Sequence, residues 1–209
     1  YLYYVLKNNI QSFRDTASRM GSLPQISLSV TEEFMLPIPP LAVQREIVRM
    51  LDSFTLLTVE LTSELTAELT ARKKQYEFYR DKMLTFKNFA TEKKRLIEVA
   101  DIYDSLHQTP VYSNDGYCMI RVQDIKGGYV ETEKTLRVSD SIYHQFIKKY
   151  RPQKNDIVVS RVGSYGNFAL IPDDNCCLGQ NVALIHPRID AKYLYYTLSS
   201  TITQLWIDK

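Results

Sequence analysis

The stretch from Leu41 to Thr109 constrains this chain most, because it contains neither glycine nor proline. Two four-residue units inside it, Thr-Ser-Glu-Leu and Thr-Ala-Glu-Leu, place Leu61, Leu65 and Leu69 four residues apart. An α-helix turns once in 3.6 residues, so a period of four keeps these leucines nearly in register on one face. We therefore predict a single helix over residues 40–86, about 70 Å long at 1.5 Å per residue.

Apolar residues continue along this helix on both sides of the repeat. A helix of that length is typical of a coiled coil. Each four-residue unit adds about 6 Å, so the repeat can serve as a spacer. The alternative is a solvated stretch of helix with a leucine seam. The predicted helix–helix interface, which could instead bind another protein subunit, consists of Ile47, Leu51, Phe54, Leu61, Leu65, Leu69, Tyr76 and Tyr79.

Charge is distributed unevenly along the predicted helix. Residues 40–71 carry two arginines against five acidic residues, whereas residues 72–95 carry nine basic residues against three acidic ones. Parallel copies would set like charges side by side, so this distribution favours an antiparallel partner. A basic group just after the repeat is a candidate surface for a protein partner or for DNA, with plain coiled-coil surface as the alternative. Its members are Arg72, Lys73, Lys74, Tyr76, Tyr79 and Arg80.

The segments beside the helix predict an α+β fold. Residues 1–39 open with apolar residues at helical spacing, which Gly21 ends, and continue through the extended connection LPQISLSV to an apolar strand over Phe34–Pro40. Residues 96–190 alternate β-branched and aromatic residues with polar ones, a pattern typical of strands. The predicted elements there are strands in YCMIRVQDI, DIVVSRV, NFALI and NVALIHP, a helix in SDSIYHQFIKKY, and a final helix from Ala191 to Lys209.

A second repeat spans the chain. YLYYVL at Tyr1–Leu6 returns as YLYYTL at Tyr193–Leu198, an offset of 192 residues. The chain thus resembles one period of a tandem repeat and the start of the next; chance similarity of two tyrosine-rich helices is the alternative. On the repeat interpretation, the C-terminal domain lacks a closing part similar to residues 18–39. An antiparallel, domain-swapped dimer would supply that part from the partner chain.

Bulk properties narrow the class of protein. A net charge of +2 does not by itself mark a nucleic-acid binder. No apolar run of about 20 residues predicts a membrane span, and no signal peptide is recognised. We interpret Cys118, Cys176 and Cys177 as small core residues of a protein in a reducing compartment, which predicts a cytoplasmic location. Tyr1 in place of Met indicates a processed or excised piece.

No enzymatic motif is found. His107, His144 and His186 stand alone, without metal-ligand spacing. There is no phosphate-binding P-loop, no nucleophile elbow and no Asn-Pro-Pro-aromatic motif of amino-methyltransferases. We therefore expect a protein without a catalytic centre, metal or cofactor. One functional hypothesis for such a protein is a coiled-coil module that binds only other proteins.

Several segments resemble one family. LPIPPLAVQREIVRMLDSF, the four-residue units and ARKKQYEFYRDKMLTF resemble the central conserved region of the specificity subunit of type I restriction–modification enzymes, with units like those of the IC subgroup. RVGSYGNFALI and LGQNVALIHP resemble its target recognition domains. The resemblance implies the end of one recognition domain over residues 1–39, a spacer helix over 40–86, and the start and body of the next recognition domain over 87–209.

The family resemblance also implies a function and partners. Two recognition domains would each read half of a split sequence in double-stranded DNA, and two antiparallel helices would hold them apart. Methyltransferase subunits would dock on the helices, and a translocating restriction subunit would join the complex. The number of four-residue units would set the spacer between half-sites. This chain has one helix and parts of two domains, so a half-subunit or a fragment is implied, expected to form a homodimer.

Three groups of residues are candidates for DNA contact. The loop SRVGSYGN presents Arg161, which can pair with guanine, and Asn167, which can pair with adenine; an ordinary hairpin is the alternative. Gln180 and Asn181 can contact adenine, or Asn181 can instead cap a turn. A basic cluster suits phosphates, although such a cluster is more often a solvated face. The set is Arg161, Ser164, Tyr165, Asn167, Gln180, Asn181, Lys148, Lys149, Arg151 and Lys154, followed at lower rank by Gln108, Tyr112, Arg121, Gln123 and Lys126.

Overall fold

The computed structural model describes residues 1–17, 25–86 and 91–208. Gly21 and the start of the predicted extended connection lie outside these ranges, so the predicted end of the first helix stays a prediction. The helices are α1 (Leu2–Asn8), α2 (Ile10–Asp15), α3 (Leu28–Glu32), α4 (Leu41–Met83), α5 (Leu96–Val99), α6 (Asp140–Phe146), α7 (Ala191–Leu198) and α8 (Thr201–Ile207). The strands are β1 (Ala100–Asp104), β2 (Tyr117–Ile120), β3 (Gly128–Tyr129), β4 (Leu136–Val138), β5 (Ile157–Ser160), β6 (Phe168–Leu170), β7 (Cys176–Leu178) and β8 (Val182–Pro187).

The prediction of a mixed helix-and-sheet protein with one long helix is confirmed. Helix α4 contains 43 residues and lies within three residues of the predicted bounds at either end. The backbone amide of Gln44 donates to the carbonyl of Pro40, so the helix starts directly after the proline. No helix in the described ranges has the length and apolar character needed to cross a membrane.

Threonine hydroxyls along the repeat bond within the helix itself. The hydroxyls of Thr58, Thr62, Thr66 and Thr70 each donate to the backbone carbonyl four residues earlier, over 2.7–2.9 Å. Such back-bonding satisfies a hydroxyl without a partner from another element. The threonine stripe therefore exposes its methyl groups, while its polar atoms are already bonded.

The chain divides into two compact units, Tyr1–Arg72 and Lys73–Lys209. In the first unit, the short N-terminal helices contact the early part of α4 and the segment before it. The hydroxyl of Tyr4 bonds to the carboxylate of Asp52, and the hydroxyl of Tyr1 donates to the carbonyl of Pro37 over 2.9 Å. The rings of Phe13 and Phe34 lie 4.7 Å apart.

Two local predictions in the first unit are wrong. Phe34–Pro40, predicted as a strand, has no regular secondary structure; its prolines lack the amide donors that a sheet ladder requires. Part of the predicted extended connection forms helix α3, because the hydroxyl of Ser27 accepts a bond from the amide of Val30 and caps that helix.

The repeat of YLYY segments reappears in the secondary structure. Helices α1 and α2 meet at Asn9, and α7 and α8 meet at Ser199 and Ser200, which correspond to residues 7 and 8 at the 192-residue offset. Both segments therefore form two short helices with a break at nearly the same place. The environments differ: Leu194 in α7 is 4% exposed, whereas its counterpart Leu2 in α1 is 52% exposed.

The second unit contains two sheets. The larger sheet has the order β1-β8-β5-β6-β3, in which β8 is antiparallel to both β1 and β5. The smaller sheet has the order β4-β2-β7, with β2 antiparallel to β4 and parallel to β7. The four strands predicted after the long helix are present as β2, β5, β6 and β8, although a short 3-10 helix over Val122–Asp124 replaces the end of the first.

Alternating side chains build three hydrophobic clusters around the sheets. Successive residues of a strand point to opposite faces, so Val158 and Leu184 join the cluster between the two sheets, while Ile157 and Ile185 pack toward α7. The outer face of the smaller sheet packs against α6 in a third cluster. The second unit is therefore layered as α7, larger sheet, smaller sheet and α6.

The cysteines depart from the expectation of three free thiols. Cys118 and Cys176 lie opposite each other on the neighbouring parallel strands β2 and β7, with Cα atoms 4.6 Å apart, and form a disulfide. Sequence could not show this pairing, because it depends on the register of two distant strands. Cys177 points to the other face and remains a free, buried thiol, and burial raises its pKa to about 12.

The layered core predicts that a cavity at its centre lowers the stability of the protein. Replacing the fully buried Leu184 by alanine (L184A) removes contacts between the two sheets. We expect the free energy of unfolding to fall by about 2–5 kcal/mol, measured by urea denaturation followed by circular dichroism. Val111→Ala is the matched control because Val111 is 81% exposed, and it should leave the midpoint nearly unchanged. Equal midpoints for the two variants would contradict this account of the core.

Candidate nucleic-acid interface

Four connecting segments of the second unit meet at one end of its sheets. Asp104 at the end of β1 lies opposite Ala183, and Ser160 at the end of β5 lies opposite Val182, so both strands end beside the start of β8. Strand β2 ends beside the end of the parallel strand β7, whose turn leads into β8. The segments after β1, β2 and β5 and the β7–β8 turn therefore lie together, and we call this region the loop end.

Backbone bonds join these segments. The amide of Arg161 donates to the carbonyl of Asn181 over 3.0 Å, and that of Gly179 donates to the carbonyl of Ile120 over 2.8 Å. The amide of Ser105 donates to the carbonyl of Val182 over 3.2 Å. Backbone hydrogen bonds thus hold the loop end together, as they do the sheets, although the bonded residues are up to 77 positions apart in the sequence.

Arg161 is held at the loop end by an acidic residue. Its Nη1 donates to Oδ1 of Asp104 over 2.5 Å, and both side chains remain almost half exposed. Nε2 of His107 lies 3.3 Å from the other oxygen of the same carboxylate. The hydrogen bond from Arg161 lowers the pKa of Asp104 below its usual value, which keeps the carboxylate charged at neutral pH. Sequence analysis missed both Asp104 and His107.

The hairpin after β5 is shaped by its own polar groups. Nδ2 of Asn167 donates to the carbonyl of Ser164 over 2.7 Å, and the hydroxyl of Ser160 donates to the same carbonyl. Gly163 has a positive φ of +73°, a conformation that favours glycine. Asn167 therefore closes the loop, as the ordinary-hairpin alternative requires, while Tyr165 stays exposed. The DNA contacts expected from Ser164, Tyr165 and Asn167 stay predictions.

A cleft of about 250 Å³ opens at the loop end. It unites the predicted Gln180 and Asn181 with four of the five residues that sequence analysis placed at lower rank. The hydroxyl of Thr109 donates to Oε1 of Gln180 over 3.3 Å. Asn181 has a φ of +62°, so it also serves the turn before β8. The lining residues are Gln108, Thr109, Pro110, Tyr112, Arg121, Val122, Gln123, Gln180 and Asn181.

Every guanidinium nitrogen of Arg121 in this cleft bonds to a neighbour. Its Nε and Nη2 donate to the two oxygens of Asp124 over 3.1 and 3.2 Å. With the carbonyl oxygen of Gln123 turned toward it, Nη1 and Nη2 also donate to that oxygen over 2.9 and 2.7 Å. Arg121 therefore stabilises the short 3-10 helix. Lys126, the remaining lower-ranked residue, lies in a neighbouring depression.

The predicted basic cluster lies at the other end of the second unit. Lys148, Lys149, Arg151 and Lys154 precede β5, whereas Arg161 follows it, so the length of the strand separates the two groups. All four side chains are exposed. The backbone amide of Lys154 donates to the carboxylate of Asp174 over 2.6 Å. The structure does not bring this cluster to the loop end, and its contact with phosphates stays a prediction.

Each of the three histidines has a carboxylate neighbour in the structure. His107 contacts Asp104, and Nδ1 of His186 lies 2.7 Å from Oδ1 of the buried Asp156 and 2.7 Å from the hydroxyl of Tyr150. Burial and the nearby Asp156 raise the pKa of Tyr150. His144 lies 3.5 Å from Asp140 in the same helix. The described residues contain no group of three or more metal-ligating side chains.

The predicted helix–helix interface is an open seam within the first unit. Leu61, Leu65 and Leu69 are all more than half exposed, and Ile47 and Leu51 are partly buried. In the second unit, the guanidinium of Arg80 lies 5.6 Å from the ring centre of Tyr76 and donates to the hydroxyl of Thr201. The occupant of this exposed seam stays a prediction.

Comparison with known proteins shows which proteins this chain resembles. Residues 1–71 match the family model described as type I restriction modification DNA specificity domain. The chain is 33% identical over 206 residues to a Haemophilus influenzae protein assigned as a type I restriction enzyme specificity subunit, covering 94% of this chain and 51% of that protein. It is 31% identical over 215 residues to the EcoR124I/EcoR124II specificity subunit of Escherichia coli, covering 96% and 51%.

One solved structure shares the fold. A chain from a study of complex assembly and conformational transition of the type I R-M system aligns with a TM-score of 0.50 and 20% identity, over 96% of this chain and 50% of that one. The fold is thus that of a mixed sheet domain joined to a long helix.

The family resemblance is confirmed: the chain is a relative of the specificity subunits of type I restriction–modification enzymes. It spans about half the length of the curated relatives that it matches.

The ion pair at the loop end predicts that removing Arg161 changes the pKa of Asp104. We expect the carboxyl pKa of Asp104 to rise toward its ordinary value in Arg161→Ala, since the arginine is the largest cause of its depression. Because the folded-state pKa is depressed, any stabilisation from the pair is present above the unfolded-state pKa of about 4 and is lost as the pH falls through the folded-state value. NMR titration of side-chain carboxyls measures the shift. Asp101, which lies on the same strand as Asp104 and pairs with Arg188 after β8, is the internal control, and its pKa should not change.

Proposed function

We propose that this chain is half of a DNA-sequence-recognition subunit of a type I restriction–modification system. One observation carries the proposal: in a relative of specificity subunits, the residues with base-reading chemistry from four separate segments lie together at the loop end. Arg161, Gln180 and Asn181 belong to that set. Amide and guanidinium groups are the side chains that match base edges in the major groove. The function is recognition, and partner subunits would carry out methylation and cleavage.

The long helix suits the role of a spacer between two readers. Residues 40–86 would form the spacer, residues 87–209 one recognition domain, and residues 1–39 the end of another. The exposed leucine seam and the acidic and basic halves of the helix favour an antiparallel partner helix. Leu2 of α1 is exposed whereas its counterpart Leu194 in α7 is buried, which favours completion of the N-terminal segment by a further domain, as in a swapped homodimer.

The assembled complex would supply the chemistry. Methyltransferase subunits would bind along the conserved helix, and a restriction subunit that translocates DNA would join through them. Such a complex would work on cellular DNA, which supports a cytoplasmic location; the cysteines do not, because Cys118 and Cys176 form a disulfide. A purely protein-binding scaffold is not favoured, because the matched relatives are specificity subunits along nearly the whole of this chain.

Selection from randomised duplex DNA tests the proposal. We expect the purified chain, or the chain with methyltransferase subunits in a parallel sample, to enrich an inverted repeat with a fixed gap, because two copies would present two identical readers. The binding should weaken steeply with salt, since phosphate contacts release counterions. Sequencing of the bound fraction provides the measurement. A bound fraction without any sequence preference in either sample would refute the recognition role.

The spacer role predicts a change in the gap. Deleting Thr66–Leu69 shortens the helix by about 6 Å, so the preferred gap should shrink by about two base pairs while both half-sites stay the same. The same selection experiment measures the gap. Ala67→Ser is the matched control, since it changes the unit to the sequence of its neighbour without changing the length. The deletion also rotates the downstream helix by about 40°, so circular dichroism must show that the helix persists. An unchanged gap in a folded deletion variant would rule out the spacer role.

A further inference from the structure

The two arginines of the loop end differ in how many donors they have left. A guanidinium carries five N–H donors. All three nitrogens of Arg121 donate to Asp124 or Gln123. Arg161 uses only Nη1, toward Asp104, and its Nε and Nη2 have no partner among the described residues. Arg161 therefore has an unused pair of donors on its Nε and Nη2 edge, whereas every nitrogen of Arg121 already donates at least one bond.

The carboxylate of Asp104 determines which way that edge faces. Asp104 lies in register on the rigid strand β1, so its position is set by the sheet rather than by the loop. The backbone of Arg161 is also fixed, through its amide bond to Asn181. With the backbone and one guanidinium nitrogen both held, the side chain loses most of its rotational freedom. An arginine restrained in this way loses less conformational entropy when it binds a base.

The same carboxylate also selects the kind of ligand. The ionised carboxylate of Asp104 repels DNA phosphates and neutralises part of the positive charge of Arg161. What remains is a two-donor fork, and guanine presents two matching acceptors, O6 and N7, in the major groove. The Asp104–Arg161 pair is therefore suited to read a base rather than to bind the backbone.

We propose that Asp104 is a specificity-determining residue: it positions Arg161 to read a guanine in the DNA target. This inference rests on the proposed function. Of this pair, the sequence predicted only Arg161, as a base contact. Asp104 is a second residue, which acts through Arg161 and touches no base itself. His107, on the other oxygen of Asp104, contributes to holding the carboxylate in place.

Measuring base preference and general DNA affinity separately distinguishes a positioning role of Asp104 from a merely structural one. Selection with Arg161→Ala first identifies the position that loses its preference, which we expect to be a guanine. For Asp104→Asn, the affinity ratio between the selected duplex and a duplex with that guanine replaced by adenine should fall about tenfold. Affinity for unrelated duplex should stay equal or become tighter, because a negative charge facing the DNA is removed. Fluorescence anisotropy with labelled duplexes measures each affinity.

Two variants control the experiment. Asp101→Asn removes another acidic residue of β1, which pairs with Arg188 just after β8 and outside the loop end, and it should leave the ratio unchanged. Arg161→Lys keeps the charge but lacks the planar fork, so it should weaken the guanine preference and keep general affinity. A ratio that Asp104→Asn leaves unchanged, or that Asp101→Asn lowers equally, would overturn the inference while the recognition function stands. A wild-type chain that selects no sequence would overturn both.

Discussion

The pairing of β8 with a strand on each side is the constraint on which the second unit depends. Because β1 and β5 both run antiparallel to β8, both end beside its start. Its alternating residues, such as Leu184 and Ile185, belong to the two hydrophobic clusters on either face of the larger sheet. One strand therefore fixes the core and, at its first residue, the place where the polar segments meet.

Sequence patterns predicted the local elements and missed the contacts between them. The period of the leucines was sufficient for α4, since every bond of a helix is local, and alternation was sufficient for β2, β5, β6 and β8. The bonds of Asp104 with Arg161 and of Cys118 with Cys176 join residues 57 and 58 positions apart. Such pairs depend on strand register, which a single sequence does not reveal. The error at Phe34–Pro40 arose differently, because an apolar run was given more weight than its prolines.

Charge is organised differently at the two ends of the second unit. At the loop end, Arg161 pairs with Asp104 and Arg121 pairs with Asp124, so little positive charge is left to attract phosphates. The exposed basic cluster before β5 lies at the other end. In a DNA-reading domain, this arrangement would separate discrimination between bases from general attraction to the duplex. Binding strength and selectivity would then be open to change through different residues.

The bonding of the threonine hydroxyls has a consequence for how such a protein can evolve. Each four-residue unit of α4 brings one leucine to the seam and one threonine whose hydroxyl is satisfied by the preceding turn. A duplicated or lost unit therefore creates no unpaired polar group within the helix, and its main consequence is a rotation of the downstream helix by about 40°. Slippage during replication of the corresponding DNA could change the number of units in one step, and the helix would remain chemically complete at either length.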